Sequence, residues 1–507
     1  MARETGGSEA GRGEGDRVKS LADLGLTARG GREARITGLA VDNRDVKPGF
    51  LFAAMPGTRI HGATFIPDAL EAGAVAVLTD AEGARIAAEA LSAAGAALVV
   101  AEDPRETLAG TAALWFGAQP PVMAAVTGTN GKTSVATFLR QIWQQLGHRA
   151  INLGTTGVEG DFSWPLHHTT PEPITLHRVL AQAAAAGITH CAMEASSHGL
   201  SQRRLDGIVL SVGGFTNLTQ DHLDYHPTLD AYFEAKASLF TRVLSPEGHA
   251  VINLDGERGV EMAERAEARG LDVLTVGQHP DAELRLLARR FTAEGQVLRL
   301  GFNGQDYQVP LNLIGDFQGE NVLVAAGLAL LAGDGPDDVF SVLPRLEGVR
   351  GRMQLAATRA NGASIFVDYA HTPDAVSTAL RALRPHVMGR ILAVIGAGGD
   401  RDRTKRPLMG QAAAECADLV FVTDDNPRSE DPASIRQAVL MGCPDAIEVG
   451  DRAEAILRAV DALGPGDALL IAGKGHETGQ TVGDTVYPFD DVEQASVAVA
   501  ALDGRLA

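Results

Sequence analysis

The chain has 507 residues, of which 45% are apolar and 21% are charged, and its formal net charge at pH 7 is −20. At roughly 100–200 residues per domain, this length predicts about three domains. The negative charge would repel a polyanion, so nucleic acid is not expected as the main partner. A small anionic ligand is still compatible with the charge, because a local site can be positive on an acidic protein.

Cysteine usage and hydropathy predict a cytoplasmic protein. The three cysteines, Cys191, Cys416 and Cys443, match neither a disulfide framework nor a zinc knuckle, which favours a reducing compartment. No run approaches the roughly 18–20 apolar residues that would span a membrane. Residues 1–17 are rich in Gly, Glu and Arg and lack the apolar region of a signal peptide, so we expect a disordered tail.

The first two domains are separated by a proline pair. Short apolar runs at Val75–Leu78 and Ala97–Val100 predict strands, and Pro120-Pro121 marks a joint. Several strand–helix units are expected between Val122 and Leu346, and the chain turns again at Gly348–Arg352. The predicted domains span residues 18–120, 121–347 and 348–507.

The last domain shows the clearest α/β pattern. Its predicted strands are Ile365–Val367, Ile391–Ile395, Leu419–Thr423 and Ala468–Ile471. A polar or Gly-rich loop follows each strand, and Thr372 with Pro373 can begin a helix after the first of these loops. Ligands bind at the carboxyl ends of strands in open parallel sheets, so four such loops predict a binding face.

A candidate phosphate-binding loop opens the central domain. The predicted strand Val122–Val126 precedes Thr127–Ser134, which reads Thr-Gly-Thr-Asn-Gly-Lys-Thr-Ser, and an amphipathic helix follows until Gly147. One face of this helix carries Val135, Phe138, Leu139, Ile142, Trp143 and Leu146.

Strand, Gly-rich loop and helix are the context in which backbone N–H groups bind phosphates. Lys132 would reach the β- and γ-phosphates of ATP, and Thr133 or Ser134 would offer a hydroxyl to Mg²⁺. The strict motif requires glycine at position 126, where the chain has Val, and Gly128 supplies the earlier glycine instead. An ordinary strand–helix turn that contains a lysine is the alternative.

This loop and three later segments together resemble the Mur ligase family, and the resemblance covers nearly the whole chain after the tail. The later segments are Cys191–Leu200, Asp221–His226 and Asp425–Arg428. The resemblance implies three α/β domains: one that binds the UDP end of a precursor, a central P-loop ATPase domain, and a C-terminal Rossmann-like domain that binds the incoming amino acid. We expect a monomer.

The resemblance also implies a catalytic centre that uses ATP and Mg²⁺. Thr133 is the metal ligand that the loop motif predicts. The resemblance assigns Mg²⁺ to Glu194, for which an acid near a helix N-cap is the alternative, assigns a second Mg²⁺ to His222, and implies that Lys236 is carbamylated by CO₂. From the residues alone, Lys236 reads as a solvated helix lysine, whereas a carbamate would supply oxygen ligands.

Family positions near the ATP nucleotide correspond to Asn321 and Arg352, besides the loop residues Gly128, Thr129, Asn130, Gly131, Lys132, Thr133 and Ser134. Asp368 and His371 follow a strand and carry a similar implied role, although a structural role for His371 is an equal alternative.

Substrate-contact positions of the family match Thr169, Thr170, Ser196, Gln202 and Arg204. A uridine-binding loop corresponds to Val41-Asp42-Asn43-Arg44, in which Asn43 replaces the usual Ser, and a looser match falls on Thr58, Arg59 and Ile60. Plain solvation is the alternative for these polar side chains.

The segment Asp425-Asn426-Pro427-Arg428 carries the prediction of the acceptor amino acid. In the family, Arg at its fourth position accompanies meso-diaminopimelate, whose second carboxylate a guanidinium can bind through two parallel hydrogen bonds. Arg406, Gly473 and Glu477 complete the matched pocket. A surface arginine is the alternative for Arg428, and L-lysine or L-ornithine remains possible as the acceptor.

The implied reaction joins that amino acid to UDP-N-acetylmuramoyl-L-alanyl-D-glutamate through an acyl phosphate, in peptidoglycan precursor synthesis. A different ligase of the superfamily, such as a folylpolyglutamate synthetase, is a second hypothesis. A nucleotide-switch or motor ATPase is a third, but the chain shows no signature of a partner-responsive element.

Overall fold

The first domain of the chain is built on a parallel sheet. The computed structural model describes residues 17–57, 60–166, 168–221, 225–292 and 294–504. A short antiparallel pair, β1 (Lys19–Ser20) and β2 (Arg35–Ile36), precedes the four parallel strands. These are, in sheet order, β3 (Gly38–Ala40), β4 (Phe50–Ala53), β5 (Ala76–Thr79) and β6 (Ala97–Val100).

Four helices accompany this sheet: α1 (Ile66–Glu71), α2 (Ala81–Ile86), α3 (Ala88–Ala94) and α4 (Pro104–Phe116). Asp80 and Asp103 cap α2 and α4, because each carboxylate accepts a hydrogen bond from a free N–H of the first turn. Both predicted strands of this region are present, within one residue of their expected ends.

A second sheet carries the candidate phosphate loop. Six of its ten strands are β7 (Val122–Thr127), β8 (Ala150–Gly154), β9 (Gly157–Gly160), β10 (His190–Glu194), β11 (Val212–Phe215) and β12 (His249–Asn253). They lie in the order β12-β11-β7-β10-β8-β9, and every neighbouring pair is parallel except β8 with β9. The helices are α5 (Lys132–Gln145), α6 (Pro173–Ala185), α7 (Ser197–Ser201), α8 (Leu229–Ser238) and α9 (Gly259–Ala268).

The chain divides into two compact units, residues 1–275 with 327–334 and residues 276–326 with 335–507. The strand β13 (Asp272–Gly277) leads from the first unit into the second, where its end pairs with β14 (Leu284–Thr292). β14 continues into the antiparallel strands β15 (Gly295–Phe302) and β16 (Gln305–Leu311). The expected strand–helix units are present before these strands, whereas no helix of the described residues separates β14, β15 and β16.

The second unit also holds the C-terminal sheet. After α10 (Asp316–Leu331) and α11 (Pro336–Val342) come β17 (Gln354–Thr358), β18 (Ser364–Asp368), β19 (Ile391–Ile395), β20 (Leu419–Val422), β21 (Ile447–Glu448) and β22 (Ala468–Ala472). Their order is β17-β18-β22-β19-β20-β21, and only β17 is antiparallel to its neighbour. The four predicted strands are present and parallel, so their carboxyl ends share one edge.

The helices of this sheet are α12 (Pro373–Leu383), α13 (Lys405–Cys416), α14 (Pro432–Leu440), α15 (Arg452–Asp461) and α16 (Asp491–Leu502), and a hairpin of β23 (Gly479–Val482) and β24 (Thr485–Pro488) follows β22. Thr372 caps α12 and Pro373 is its first residue, as predicted. The elements confirm an α/β fold. Among the described residues, no helix combines the length and the apolar character that crossing a bilayer needs.

Candidate functional site

The loop after β7 has a backbone conformation that requires glycine. Gly128 adopts φ 149° and Gly131 adopts φ 87°, both in the region that L side chains rarely occupy. A Cβ atom at Gly128 would also lie 1.8 Å from the hydroxyl oxygen of Thr216. The loop then enters α5, whose first N–H groups and dipole favour an anion at this end.

A segment that follows β11 holds the loop in place. The backbone N–H of Thr129 donates to the carbonyl of Asn217 at 2.9 Å, and that of Asn130 donates to the Asn217 side chain at 3.0 Å. The Thr216 hydroxyl donates to the Asn130 carbonyl at 2.6 Å. This support was not predicted from the sequence, although the run Phe215–Thr219 offered a signal, since it places polar residues directly after a buried strand.

The side chain of Lys132 folds back onto the loop residues that precede it. Its Nζ atom donates to the carbonyl oxygens of Gly128 and Thr129, both at 2.9 Å. The next two side chains, Thr133 and Ser134, are buried at the start of α5. The loop therefore presents a cation and a helix N-terminus together, which is the arrangement that a triphosphate needs.

Lys236 is not the solvated lysine that its helix pattern suggests. It is 1% exposed on α8, its Nζ atom donates to the Gly128 carbonyl at 2.7 Å, and it lies 4.2 Å from the centre of the Tyr232 ring. Burial, and then the charge of Lys132, lower the pKa of Lys236 well below its ordinary value. A depressed pKa favours the neutral amine, which is the form that can react with CO₂.

Glu194 is the last residue of β10 and is 2% exposed. Its carboxylate accepts hydrogen bonds from the backbone N–H and the hydroxyl of Thr155, at 2.7 and 3.2 Å. Among the described residues, no three His, Cys, Asp or Glu side chains group closely enough to hold a metal ion. His222, the other predicted ligand, lies outside the described residues.

The described residues offer oxygen ligands of the kind that Mg²⁺ prefers. The Glu194 carboxylate and the Thr133 hydroxyl are buried oxygen groups, and hard cations prefer oxygen. The ammonium of Lys236 would repel the ion, whereas its carbamate would add two oxygens to the same set.

The predicted substrate-contact residues form one network beside Glu194. The Thr170 hydroxyl donates to the Glu194 carbonyl at 2.8 Å and accepts from the Ser196 N–H at 3.1 Å. Arg204 donates to the Thr170 carbonyl and to the Gln202 side chain, at 2.5 and 2.8 Å. Part of the network also has a structural role, because the Ser196 hydroxyl caps α7.

Thr169 joins the same network through a hydrogen bond of 3.0 Å between its hydroxyl and that of Thr155, which also contacts Glu194. The predicted substrate positions and the predicted metal ligand therefore lie together. His167, which precedes them, lies outside the described residues.

The predicted uridine loop lines a separate cavity of about 530 Å³ at the carboxyl ends of β3 and β4. Val41 is 37% exposed at its edge, and Asn43 donates to the Asp68 carboxylate at 3.4 Å. The guanidinium and N–H of Arg44 lower the pKa of Asp42 to about 2. Ile60 lines the cavity as well, while Thr58 and Arg59 lie outside the described residues.

The predicted acceptor residues gather at the carboxyl edge of the C-terminal sheet. Asp425, Asn426 and Pro427 are buried after β20, and Asn426 donates to the Glu477 carboxylate at 2.9 Å. Burial raises the pKa of Glu477. A Cβ atom at Gly473 would lie 3.0 Å from the Asp425 carboxylate, so the loops after β20 and β22 are in contact.

The two arginines of this pocket have different environments. Arg428 is partly exposed, adopts φ 51°, and donates to the Gly399 carbonyl at 2.8 Å. Arg406 is 3% exposed and donates to both Glu430 oxygens, at 3.1 and 2.9 Å, which lowers the pKa of Glu430 to about 2. Arg406 therefore fixes the loop, while Arg428 is the guanidinium nearer to solvent.

Four further predicted positions also lie in the second unit. Asn321 is buried on α10 and donates to Gln318 at 3.1 Å. Arg352 stacks over Tyr369 at 4.8 Å, and Asp368 accepts from the N–H groups of Met353 and Ala370. His371 is exposed and contacts the Tyr369 carbonyl through Nδ1 at 2.8 Å.

Family models match three stretches of the chain. They are described as Mur ligase family, catalytic domain (residues 35–116), Mur ligase middle domain (126–329) and Mur ligase, glutamate ligase domain (351–475). A UDP-N-acetylmuramoyl-L-alanyl-D-glutamate–2,6-diaminopimelate ligase from Bradyrhizobium diazoefficiens is 50% identical over 472 residues, which cover 92% of this chain and 95% of the relative.

Solved structures give the same result. A structure of UDP-N-acetylmuramoyl-L-alanyl-D-glutamate–2,6-diaminopimelate ligase superimposes with a TM-score of 0.70 at 34% identity, covering 96% of this chain and 99% of the other. A folylpolyglutamate synthase from Mycobacterium tuberculosis complexed with ADP reaches 0.61 at 21% identity, covering 80% of this chain and 95% of the other, which shows a shared fold alone. The three-domain α/β fold is thereby confirmed, and the chain belongs to the Mur ligase family of ATP- and Mg²⁺-dependent, amide-bond-forming ligases.

Proposed function

We propose that the enzyme adds meso-diaminopimelate to UDP-N-acetylmuramoyl-L-alanyl-D-glutamate, with ATP as the energy source. One observation carries the proposal: in a chain 50% identical to a relative named for this reaction, the Glu477 carboxylate accepts a hydrogen bond from Asn426 and lies within the electrostatic reach of Arg428. Diaminopimelate has two amine-bearing ends. An arginine and a glutamate supply complementary charges for a carboxylate and an ammonium at one of these ends.

The first unit would bind ATP and activate the acid. The N–H groups of the Gly128–Ser134 loop and the ammonium of Lys132 would bind the β- and γ-phosphates. Arg204, with Thr170 and Ser196, would hold the muramoyl dipeptide beside Glu194. We further propose the domain bounds 18–120, 121–347 and 348–507, since each family match falls within one of these ranges.

Thr133, Glu194, His222 and a carbamylated Lys236 would hold Mg²⁺. When bound, Mg²⁺ would neutralise the charge that develops on the phosphate oxygens. The neutral amine favoured by the burial of Lys236 supports the carbamate, because only an unprotonated nitrogen can attack CO₂.

The reaction would proceed in two displacements. A γ-carboxylate oxygen of D-glutamate attacks the γ-phosphorus, the bond from that phosphorus to the bridging oxygen breaks, and ADP leaves. The neutral amine of diaminopimelate then attacks the acyl carbon, and the C–O bond to phosphate breaks after loss of the amine proton. The chain contributes mainly by positioning the reactants and stabilising charge.

We place this reaction in the cytoplasm and propose a monomer. The three cysteines of the chain form no disulfide, which fits a reducing compartment. Gel filtration with light scattering measures the oligomeric state directly.

The test is ADP release with diaminopimelate, lysine or ornithine as acceptor, in the presence of the UDP-linked dipeptide. Wild type should require both substrates and prefer diaminopimelate. The Arg428→Ala variant should lose about 10- to 100-fold in the ratio of kcat/KM for diaminopimelate to that for lysine, because a charge-assisted hydrogen-bond pair contributes about 1.5–3 kcal/mol.

The matched control is Arg458→Ala, since Arg458 is 56% exposed and pairs only with Glu454 of its own helix among the ion pairs of the described residues. It should leave the acceptor ratio unchanged. An Arg428→Ala variant that retains the wild-type preference would refute the acceptor assignment, and ADP release without any acceptor would refute the ligase itself.

A further inference from the structure

Lys474 is a fully buried lysine to which the sequence motifs assign no role. It follows β22 in the loop Gly473–Glu477 and is 0% exposed. The glycine that follows it, Gly475, adopts φ 55°, and a Cβ atom there would lie 2.7 Å from the Cβ of Tyr369. The loop therefore packs closely against the segment that follows β18, to which Tyr369 belongs.

The Nζ atom of Lys474 has specific polar partners. It donates to the side-chain oxygen of Asn426 at 2.9 Å and to the carbonyl of Gly479 at 2.8 Å. It also lies 3.3 Å from the Asp425 carboxylate and 3.9 Å from that of Glu477. A buried ammonium is tolerated only with such compensation, and three of these four partners lie on the proposed acceptor loops.

These contacts determine how the Asn426 amide is oriented. Its oxygen accepts from Lys474 and also from the N–H of Thr481 at 2.9 Å, so two donors converge on one atom. Only the oxygen of an amide can accept both bonds. The NH₂ group must then point the other way, where it donates to the Glu477 carboxylate at 2.9 Å.

We propose that Lys474 is a positioning residue for acceptor binding, which fixes the Asn426 amide and through it the carboxylate of Glu477. This inference rests on the proposed function, in which Glu477 binds an ammonium of the incoming amino acid. Lys474 also offsets the charge of the buried Asp425 carboxylate, which lies 3.3 Å from its Nζ atom. Lys474 itself does not touch the substrate.

A merely structural lysine would give a different result on substitution. Loss of packing alone would lower the stability and the amount of active enzyme, which changes kcat in proportion and leaves each KM as it was. Loss of positioning changes the acceptor KM selectively, because the carboxylate is no longer held where the ammonium binds.

The experiment is a double-mutant cycle in the full-length chain. The KM values for acceptor, ATP and UDP-linked dipeptide are measured for wild type, Lys474→Met, Asn426→Ala and the double variant. We expect Lys474→Met to raise the acceptor KM about tenfold or more and the other two KM values less than twofold. Asn426→Ala should do the same, and the double variant should be little worse than either single variant, because both act on one contact.

Two further variants complete the design. Lys47→Met changes an exposed lysine of the first unit and should leave every KM unchanged. Lys474→Gln retains a hydrogen-bond donor for Asn426 and should give an intermediate acceptor KM; it replaces Lys474→Met in the cycle if the methionine variant does not fold.

The outcomes separate this inference from the proposed function. If wild type shows no acceptor-dependent ADP release, the proposed function fails. If wild type uses an acceptor but the Lys474 variants retain its KM, or if the effects of the two single variants add, then the positioning role of Lys474 is wrong. The cycle uses whichever acceptor wild type prefers, so an error in the identity of the amino acid does not affect it.

Discussion

Gly128 offers a test of the phosphate loop at the level of one residue. The Gly128→Ala variant should lose about 100-fold in ADP affinity, because alanine disfavours φ 149° and its Cβ would meet the Thr216 hydroxyl at 1.8 Å. Isothermal titration with ADP measures this loss.

Gly110 is the matched control for this substitution. It lies within α4, where an added Cβ meets no atom within 4 Å, so Gly110→Ala should stabilise the helix by about 0.5–1 kcal/mol. It should not affect ADP binding. Normal ADP affinity in Gly128→Ala would contradict the location of the nucleotide site.

His177 should make the stability of the first unit depend on pH. Burial lowers the pKa of His177 from 6.5 to about 4. The unfolded chain therefore binds the proton first as the pH falls, so stability is complete above pH 6.5 and decreases through the window from 6.5 to 4.

Between pH 7 and pH 5, His177 should account for about 2 kcal/mol of the decrease in unfolding free energy. The His177→Gln variant removes this titration. Urea unfolding at both pH values should therefore show a decrease in unfolding free energy that is about 2 kcal/mol smaller in the variant than in wild type. Equal decreases in the two proteins would show that His177 is not buried in its neutral form.

The residues of the phosphate loop could be predicted from the sequence because their geometry is local. Gly128 to Ser134 are consecutive in the sequence. The apolar pattern of the residues before and after them predicts the flanking strand and helix. Lys236 could not be interpreted in this way. Its burial depends on contact with the Gly128 carbonyl, 108 positions away in the sequence, which the pattern of its own helix does not contain.

At the level of elements, a buried ion pair connects α15 to α16. Arg452 and Asp491 are both 0% exposed in their side chains and lie 2.7 Å apart, and Arg452 also donates to the Ala472 carbonyl at 3.0 Å. The Asp491→Ala variant should lose about 3–5 kcal/mol of unfolding free energy, because it leaves a guanidinium buried without its carboxylate.

The double variant Arg452→Met, Asp491→Leu should recover most of that loss, because it removes both charges together. Urea unfolding followed by circular dichroism compares the three proteins. A cost below about 1 kcal/mol for Asp491→Ala would indicate that water reaches the pair.

Strands could be predicted from the sequence where their apolar pattern is regular. The strand Ile391–Ile395 is continuous and apolar, and its predicted and observed ends agree. Strands β14 to β16 contain charged residues such as Arg289 and Arg299, which hide their alternation. Their antiparallel pairing was therefore not foreseen.

At the level of the whole molecule, net charge and local charge have opposite signs. The chain carries −20 formally, yet the proposed triphosphate site combines Lys132 with the N-terminus of α5. Composition makes a polyanionic partner unexpected, but it does not locate a positive site, since it contains no spatial information. Family membership, supported by matches over most of the chain, assigns the reaction class that composition leaves open.

The most direct test of the proposed reaction follows oxygen atoms. UDP-linked dipeptide with both oxygens of its terminal γ-carboxylate labelled with ¹⁸O is converted in the presence of ATP and diaminopimelate, and the products are weighed by mass spectrometry. An acyl phosphate route predicts one ¹⁸O in inorganic phosphate and one in the new amide. Unlabelled phosphate, or label in AMP, would contradict the claim that the acid attacks the γ-phosphate of ATP.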